Sequence, residues 1–239
     1  TFSLARQLGL GISRIVIDPG HGGHDPGTPT AGSTEARIVL DIALRLEKLL
    51  QDEGVEVVLT RRTDDFIPLE ERTAIANRAS ADLFLSIHAN ASTIAQAAGV
   101  ETYYLNFADS ASAAAVAARE NAASGKPMSA LPEVVKAIAL NGKQVESRDL
   151  ATQVQRSLVQ KLKPANQNLR DLGVKQAPFV VLIGASMPSV LAEVAFITNE
   201  QEGRLLKGNA YRQRIAEALF SAVQRYQTSL TRLRDVTGQ

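Results

Sequence analysis

Short apolar runs alternate with amphipathic stretches along the first half of the chain. Runs rich in Val, Ile and Leu predict buried strands at 14–17, 55–60, 83–90 and 99–106. Between them, apolar residues recur at helical spacing from Ile38 to Leu50, and a second helix is expected to open at Pro68 and to end near Ala79. This alternation of strands and helices predicts an α/β fold with a mainly parallel sheet.

The second half of the chain begins with a change of composition. The alanine-rich stretch 109–123 favours a helix whose stripe of Ala113, Val116, Ala117 and Glu120 follows helical spacing. A loop and a short apolar stretch (132–140) follow it, and we interpret 107–145 as an insertion on the α/β domain. The remaining predicted elements are a helix from Ser147 to Pro164, a polar loop at 164–177, strands at 179–184 and 189–197, and a last helix at about 210–229.

Composition limits the possible classes of protein. The chain has 239 residues, 45% of them hydrophobic, which suits a single domain (14–229) between a lead-in segment (1–13) and a tail (230–239). A net charge of +1 gives no reason to expect a nucleic-acid partner, and no apolar run is long enough to cross a membrane. The absence of cysteine excludes a thiol nucleophile and a cysteine zinc site. The chain begins at Thr1, so we expect a processed or truncated protein, in which any export signal would have been upstream; composition alone leaves the location open.

The segment RIVIDPGHGGHDPG, residues 14–27, combines a strand with a glycine loop. Four glycines follow the strand, interleaved with His21 and His24, two of the three histidines of the chain. Glycines allow positive φ angles and close approach to a bound group, and histidines delivered by such a loop suggest a metal site. The segment lacks the spacings GxxxxGK[ST] and GxGxxG, so a phosphate loop is not indicated. The alternative is a loop with a surface histidine.

Two further side chains could complete a metal site. Glu35 opens the first helix, and His88 lies at the end of the strand 83–90, so both can meet His21 at one edge of the sheet. Two histidines and a carboxylate, plus water, are a common ligand set of catalytic zinc. His24 could replace His21 as a ligand or support the ligands from behind, and Asp18 could hold a histidine ring by its other N–H. The alternatives are a hydrogen-bonding loop histidine, a favourable charge at a helix start and a strand-end histidine.

Glu193 is the second strong signal in the sequence. It lies within SVLAEVAFI, where an unpaired carboxylate would be destabilised or would have a raised pKa. A carboxylate of this kind beside a metal site can act as a general base. The alternative is a structural ion pair with an arginine.

Several separated motifs resemble one known family, the zinc-dependent N-acetylmuramoyl-L-alanine amidases of bacterial cell division, of the amidase-3 type. The resemblance runs from about Arg14 to Tyr226. It rests on IDPGHGG (17–23), Glu35 at the start of the first helix, TRRTDDFIPLEERTAIAN (60–77), SIHAN (86–90) and MPSVLAEVAFITN (187–199). It implies that the zinc ligands are His21, Glu35 and His88, and that the catalytic carboxylate is Glu193. Arg72 and Asn77 also match, and we interpret them as bracing the second helix.

The resemblance implies a function, a fold and a location. The expected reaction is zinc-dependent hydrolysis of the amide between N-acetylmuramic acid and L-alanine in peptidoglycan, during the separation of daughter cells. The expected fold is a mixed, mainly parallel sheet flanked by helices, and we expect a monomer in the periplasm. Two rival functions are a zinc peptidase acting on the stem peptide and a non-catalytic wall-binding module.

The same resemblance implies a regulatory role for the insertion 107–145. Division amidases of the Gram-negative type carry a helical segment at this place that resembles an autoinhibitory plug, which an activator protein removes. We expect Glu120 to fill the open position of the metal, because it shares the stripe of small residues; Glu133 and Glu146 are the alternatives. A peripheral helix with a solvated glutamate is the simpler interpretation.

Overall fold

The computed structural model describes residues 11–30, 32–124 and 142–237, with side chains described as far as residue 230. The strands are β1 (Arg14–Pro19), β2 (Pro29–Thr30), β3 (Ser33–Thr34), β4 (Glu56–Leu59), β5 (Leu83–Asn90), β6 (Val100–Leu105), β7 (Asp171–Ala177) and β8 (Ser189–Phe196). The helices are α1 (Glu35–Asp52), α2 (Leu69–Arg78), α3 (Ala111–Glu120), α4 (Gln144–Leu162), α5 (Glu200–Lys207) and α6 (Asn209–Thr237), with 3₁₀ turns at Asn121–Ser124 and Val180–Leu182.

Six strands form the central sheet in the order β4-β1-β5-β8-β6-β7. The first four are mutually parallel, β6 runs antiparallel to β8, and β7 is parallel to β6. β5 and β8 are buried along their whole length, as their continuous apolar runs require in the middle of a covered sheet. The predicted fold, a mixed and mainly parallel sheet flanked by helices, is confirmed.

Helices cover both faces of this sheet. Successive side chains of β1 point to opposite faces: Ile15 and Ile17 pack in the core cluster that includes residues of α1, α4 and α6. Val16 packs in the second cluster, which includes residues of α2 and α3. Helices therefore cover each face of the sheet, and the ends of the strands are left for a site.

The start of α1 is fixed by a side-chain cap. Thr34 Oγ1 accepts a hydrogen bond from the backbone N–H of Arg37 at 3.4 Å. The helix ends before Gly54, whose φ of +80° suits glycine. The cap places Glu35 in the first turn of α1, next to the glycine loop.

Four predictions about the elements or their bounds are wrong. The predicted strand at 179–184 is a 3₁₀ turn, and a strand, β7, lies in the predicted polar loop 164–177. β7 is an edge strand whose residues are mostly half-buried, so it lacks the apolar run that marks a central strand. The last helix continues to Thr237 instead of ending near residue 229, and α4 begins at Gln144, before Ser147.

The described part of the insertion is helical. Ser110 Oγ accepts a hydrogen bond from Ala113 N at 3.2 Å and caps α3. The apolar stretch 132–140, with Glu133, lies outside the described residues. Within the described ranges, no helix combines the length and the apolar character that crossing a bilayer requires.

Candidate metal centre and active site

The candidate site lies at the carboxyl ends of β1, β5 and β8. His88 and Glu193 are register partners on the adjacent strands β5 and β8. His21 lies in the glycine loop just after β1, with a φ of +59° that few residues other than glycine adopt. Glu35 reaches the same place from the first turn of α1.

The three side chains proposed as metal ligands lie together. One ligand atom from each of His21, Glu35 and His88 lies within 4.8 Å of the other two. Glu35 Oε1 is 3.1 Å from His21 Nε2 and 3.4 Å from His88 Nδ1. Glu35 and His88 are almost fully buried, at 2% and 4% exposure. The geometry could hold one small cation.

Asp25 orients His21, a role that the sequence did not reveal. His21 Nδ1 lies 2.9 Å from Asp25 Oδ2, which leaves Nε2 facing Glu35. The prediction that Asp18 holds a histidine ring is wrong. Asp18 turns away to accept hydrogen bonds from the hydroxyls of Thr60 and Ser86, at 2.6 and 2.8 Å, and from a buried arginine.

His24 lies beside the site without joining the cluster. Its ring packs on Phe66, with ring centroids 4.0 Å apart and planes tilted by 37°. The alternative in which His24 replaces His21 as a ligand is therefore wrong in this structure.

Two buried arginines tie down the glycine loop. Arg61 donates to the carbonyl oxygens of Pro19, Gly20 and Ala36 at 2.7–3.0 Å, so it links the loop to the first turn of α1. The same guanidinium donates to a fourth carbonyl, that of Thr63, at 3.0 Å.

Arg72 and Asn77 also make structural contacts. Arg72 donates to Asp18 Oδ1 at 2.8 Å and to the carbonyl of His21 at 2.9 Å. Asn77 Nδ2 donates to the Gly184 carbonyl at 2.8 Å. These contacts agree with the bracing role inferred from the sequence.

Two loop glycines are required by the packing of the cluster. A Cβ on Gly20 would lie 2.4 Å from the His88 ring. A Cβ on Gly27, where φ is +63°, would lie 2.7 Å from both Glu35 Oε2 and His21 Cδ2. The backbone therefore approaches the cluster as closely as only glycine permits.

Glu120, at the end of α3, enters the same cluster. Its Oε2 lies 3.3 Å from His21 Nε2 and 3.0 Å from His88 Nδ1. The side chain is buried, because the small residues of the α3 stripe let the helix approach closely. Of the alternatives, Glu146 has Lys143 Nζ at 3.6 Å, and Glu133 lies outside the described residues.

Glu193 is fully buried beside His88. Neither of its carboxylate oxygens makes a hydrogen bond within the described part of the chain. Burial, together with the nearby charge of Glu120, raises the pKa of Glu193 well above its usual value. The expected arginine alternative is partly present, since Arg119 Nη2 lies 3.8 Å from Glu193 Oε1.

The charges of the site favour a cation. Burial lowers the pKa of His21, but the charge of Glu35 and hydrogen bonds to Asp25 and Glu120 outweigh it and raise that pKa to about 12. Burial likewise opposes charge on His88, yet chiefly the charge of Glu120 raises its pKa to about 9. The carboxylates of Glu35, Asp25 and Glu120 therefore stabilise positive charge at the imidazole nitrogens.

The donor set fits zinc. His21 Nε2, His88 Nδ1 and Glu120 Oε2 are buried without a well-formed hydrogen bond. Buried polar atoms of this kind need a partner. Imidazole nitrogens with carboxylate oxygens are the ligands of catalytic zinc sites.

Comparison with known proteins identifies the family. The family model described as N-acetylmuramoyl-L-alanine amidase (Amidase_3) matches residues 15–225. The chain is 39% identical to the N-acetylmuramoyl-L-alanine amidase AmiA of Escherichia coli over 218 residues, which cover 89% of this chain and 75% of AmiA. It is 36% identical to AmiC of Neisseria meningitidis over 218 residues, 89% of this chain but 52% of AmiC.

Solved structures agree with the sequence comparison. The amidase AmiC2 of Nostoc punctiforme matches with a TM-score of 0.68 and 30% identity, over 90% of this chain and 97% of that one. The CwlD amidase of Clostridioides difficile, solved in complex with the GerS lipoprotein, matches with a TM-score of 0.69 and 25% identity, over 91% and 99%. The chain therefore belongs to the family of N-acetylmuramoyl-L-alanine amidases, and its function is that of a peptidoglycan amidase of the bacterial cell wall.

Proposed function

We propose that this amidase depends on zinc and that the inserted helix holds it inactive. His21, Glu35 and His88 would hold the ion, Glu193 would be the catalytic carboxylate, and Glu120 would block the site until an activator protein moves α3. The observation that carries the proposal is the meeting of these five side chains at one sheet edge, with Glu120 Oε2 facing both imidazoles at 3.0–3.3 Å.

The residues divide the chemistry between them. When bound, zinc polarises the scissile carbonyl and makes water more acidic. Glu193 accepts a proton from the attacking water while the water oxygen forms a bond to the lactyl carbonyl carbon. It returns that proton to the amide nitrogen as the C–N bond breaks, which yields a lactyl carboxyl group and the free amine of L-alanine. Its burial and raised pKa suit a group that must both take and give a proton.

The loop contacts explain how the ligands would stay in place. Asp25 fixes the ring of His21, so that Nε2 stays available for an ion. Glu35 is fixed by two backbone donors: Thr28 N–H at 3.0 Å from Oε2 and Ala89 N–H at 3.0 Å from Oε1. The buried Arg61 links the elements that carry His21 and Glu35. Such preorganisation lowers the cost of assembling a metal site.

Inhibition follows from the place of Glu120. A carboxylate within reach of both imidazoles excludes water and substrate from the position where the reaction would occur. Ala113 and Ala117 are fully buried, so α3 must move away as a unit to open the site. CwlD has been solved with a lipoprotein partner, which supports a protein activator in this family. We propose 107–145 as the regulatory insertion of a catalytic domain spanning 14–229, exported to the periplasm and acting in cell division.

Digestion of purified peptidoglycan tests the reaction. The full chain, its Glu120→Ala variant and the double variant Glu120→Ala/Glu193→Gln are incubated with peptidoglycan, with zinc and after removal of zinc by a chelator. We expect Glu120→Ala with zinc to release stem peptides with a free L-alanine amine and to leave lactyl carboxyl ends, identified by mass. The double variant and the zinc-free samples should release almost none.

Other products would contradict the proposal in different ways. Shortened stem peptides would indicate a peptidase. Binding to peptidoglycan without any product, even from Glu120→Ala with zinc, would indicate a wall-binding module. Equal release before and after zinc removal would contradict the zinc dependence.

A further inference from the structure

Arg119 makes a set of contacts that the inhibition by Glu120 does not require. Its Nη1 donates to the carbonyl of Ala91 at 2.6 Å, and its Nη2 donates to Asn90 Oδ1 at 2.8 Å. The same Nη2 lies 3.8 Å from Glu193 Oε1. The guanidinium thus presents N–H donors to two acceptors at the end of β5, next to the catalytic carboxylate.

Asn90, one of the two acceptors, is held in place by a buried hydrogen-bond network. Asn90 is 1% exposed, and its Nδ2 donates to Glu101 Oε1 at 2.5 Å. Glu101 is in turn fixed by Tyr103 Oη at 2.8 Å and by Lys175 Nζ at 2.5 Å. This buried network fixes the Asn90 amide, so that its oxygen is the atom turned toward Arg119. A preorganised acceptor of this kind is typical of a ligand subsite.

Removal of α3, which the proposed function requires, leaves these acceptors without their donors. The Ala91 carbonyl, Asn90 Oδ1 and Glu193 would then line the opened site together. Acceptors that lose a donor favour a ligand that supplies N–H groups. A peptide substrate supplies them from its backbone.

The direction of the substrate follows from the proton transfer. Glu193 returns its proton to the amide nitrogen, so the amine side of the scissile bond must lie beside Glu193. In the closed structure, the group beside Glu193 is the guanidinium of Arg119. The N–H groups of the stem peptide would therefore lie where Arg119 lies now.

We propose that the Ala91 carbonyl and Asn90 Oδ1 form a subsite for backbone N–H groups of the stem peptide, and that Arg119 occupies this subsite in place of substrate. The inference rests on the proposed function. The inserted helix would then block the site twice: Glu120 at the imidazoles and Arg119 at the peptide subsite.

Calorimetric binding of a synthetic stem peptide tests the subsite without requiring turnover. The peptide has a free L-alanine amine, and two matched peptides carry a single N-methyl group, either on the peptide nitrogen that follows L-alanine or on the nitrogen farthest from it. The protein is the full chain with Glu120→Ala and Arg119→Leu. We expect the near N-methyl group to weaken binding by about tenfold or more, and the far one by less than about twofold.

The protein side is tested with one pair of variants. In the Glu120→Ala background, Arg119→Leu should tighten binding of the unmodified peptide by about tenfold, because a competing group is removed. Arg156→Leu, which removes an exposed arginine of α4, should leave the affinity unchanged. N-acetyl-L-arginine amide should compete with the peptide, and N-acetyl-L-norleucine amide should not.

The outcomes separate this inference from the proposed function. Equal affinities for the near- and far-methylated peptides, or no effect of Arg119→Leu, would overturn the subsite even if Glu120→Ala cleaves peptidoglycan normally. A Glu120→Ala protein that leaves no lactyl carboxyl ends would instead overturn the proposed function.

Discussion

The substitution Glu120→Gln removes the charge that we propose blocks the site, and it keeps the size of the side chain. In the closed structure, Glu120 faces His21 Nε2 at 3.3 Å and His88 Nδ1 at 3.0 Å, and it accepts a hydrogen bond from Arg119 Nε at 3.0 Å. Hydrogen bonds to charged groups contribute about 1.5–3 kcal/mol each, and removing one partner of a buried ion pair costs about 3–5 kcal/mol. We therefore expect the docking of α3 to weaken by about 3 kcal/mol.

Weaker docking of α3 increases the fraction of chains in which the site is open, and activity should increase with that fraction. About 1.4 kcal/mol changes an equilibrium tenfold, so about 3 kcal/mol raises the ratio of open to closed chains about a hundredfold. Activity can increase only until every chain is open, so the expected gain is about ten- to a hundredfold. Glu120→Ala should give a gain at least as large, since it also removes the side chain that fills the site.

The assay is the rate at which new lactyl carboxyl ends form in purified peptidoglycan at saturating zinc. Glu200→Gln is the matched control, because the Glu200 side chain is 87% exposed and pairs with an exposed arginine. This control should change the rate by less than about twofold. Unchanged low rates for Glu120→Gln and Glu120→Ala, in proteins with an intact fold by circular dichroism, would refute inhibition by this residue. A fall in rate would instead assign Glu120 to catalysis.

Three further predictions concern the structure around the proposed zinc ligands. Arg61→Met leaves four carbonyl groups without their donor, so it should weaken zinc binding by about 10- to 100-fold, measured by chelator competition. Arg62→Met is the control and should have little effect, because the Arg62 side chain is 58% exposed. Gly27→Ala should weaken zinc binding by about tenfold or more, because its Cβ would collide with the side chains of Glu35 and His21, two of the proposed ligands. Gly32→Ala is the control, since Gly32 has a similar positive φ but open space around it, and equal losses of zinc binding in the two variants would refute this reasoning. Burial alone would raise the pKa of Asp18, but its buried arginine partner lowers it overall, so its contribution to stability is present above about pH 4 and is lost as the pH falls through the folded-state pKa. Asp18→Asn should therefore reduce the free energy of unfolding in urea by about 3–5 kcal/mol at pH 7 and by clearly less at pH 3, and an equal loss at both pH values would contradict the assignment.

The sequence predicted the sheet because central strands carry a strong signal. The continuous apolar runs of β5 and β8 can only be buried, and the ends of parallel strands share one edge of the sheet. His21 and His88 could therefore be expected to lie near each other without coordinates. Edge strand β7 escaped prediction because its half-buried residues alternate weakly, and the apolar residues of the Val180–Leu182 turn are buried without forming a strand.

The partners of the site residues could not be predicted in the same way. Asp25 and Asp18 are both acids near His21 in the sequence, and only the turn of the glycine loop decides which of them meets its ring. Arg119 is separated from Asn90 by 29 residues, so their contact depends on how α3 docks. The place of Glu120 could be predicted more easily, because helical periodicity alone puts it on the same face of the helix as the small residues.

Zinc content tests the central claim most directly. The purified full chain, His88→Ala and Glu193→Gln are equilibrated with zinc, passed through a desalting column and measured by elemental analysis. We propose a zinc site that depends on all three protein ligands, so we expect about one zinc ion per chain for the unmodified protein and for Glu193→Gln, and almost none for His88→Ala. A His88→Ala protein that keeps a full equivalent of zinc, or an unmodified protein that binds none, would contradict this proposal.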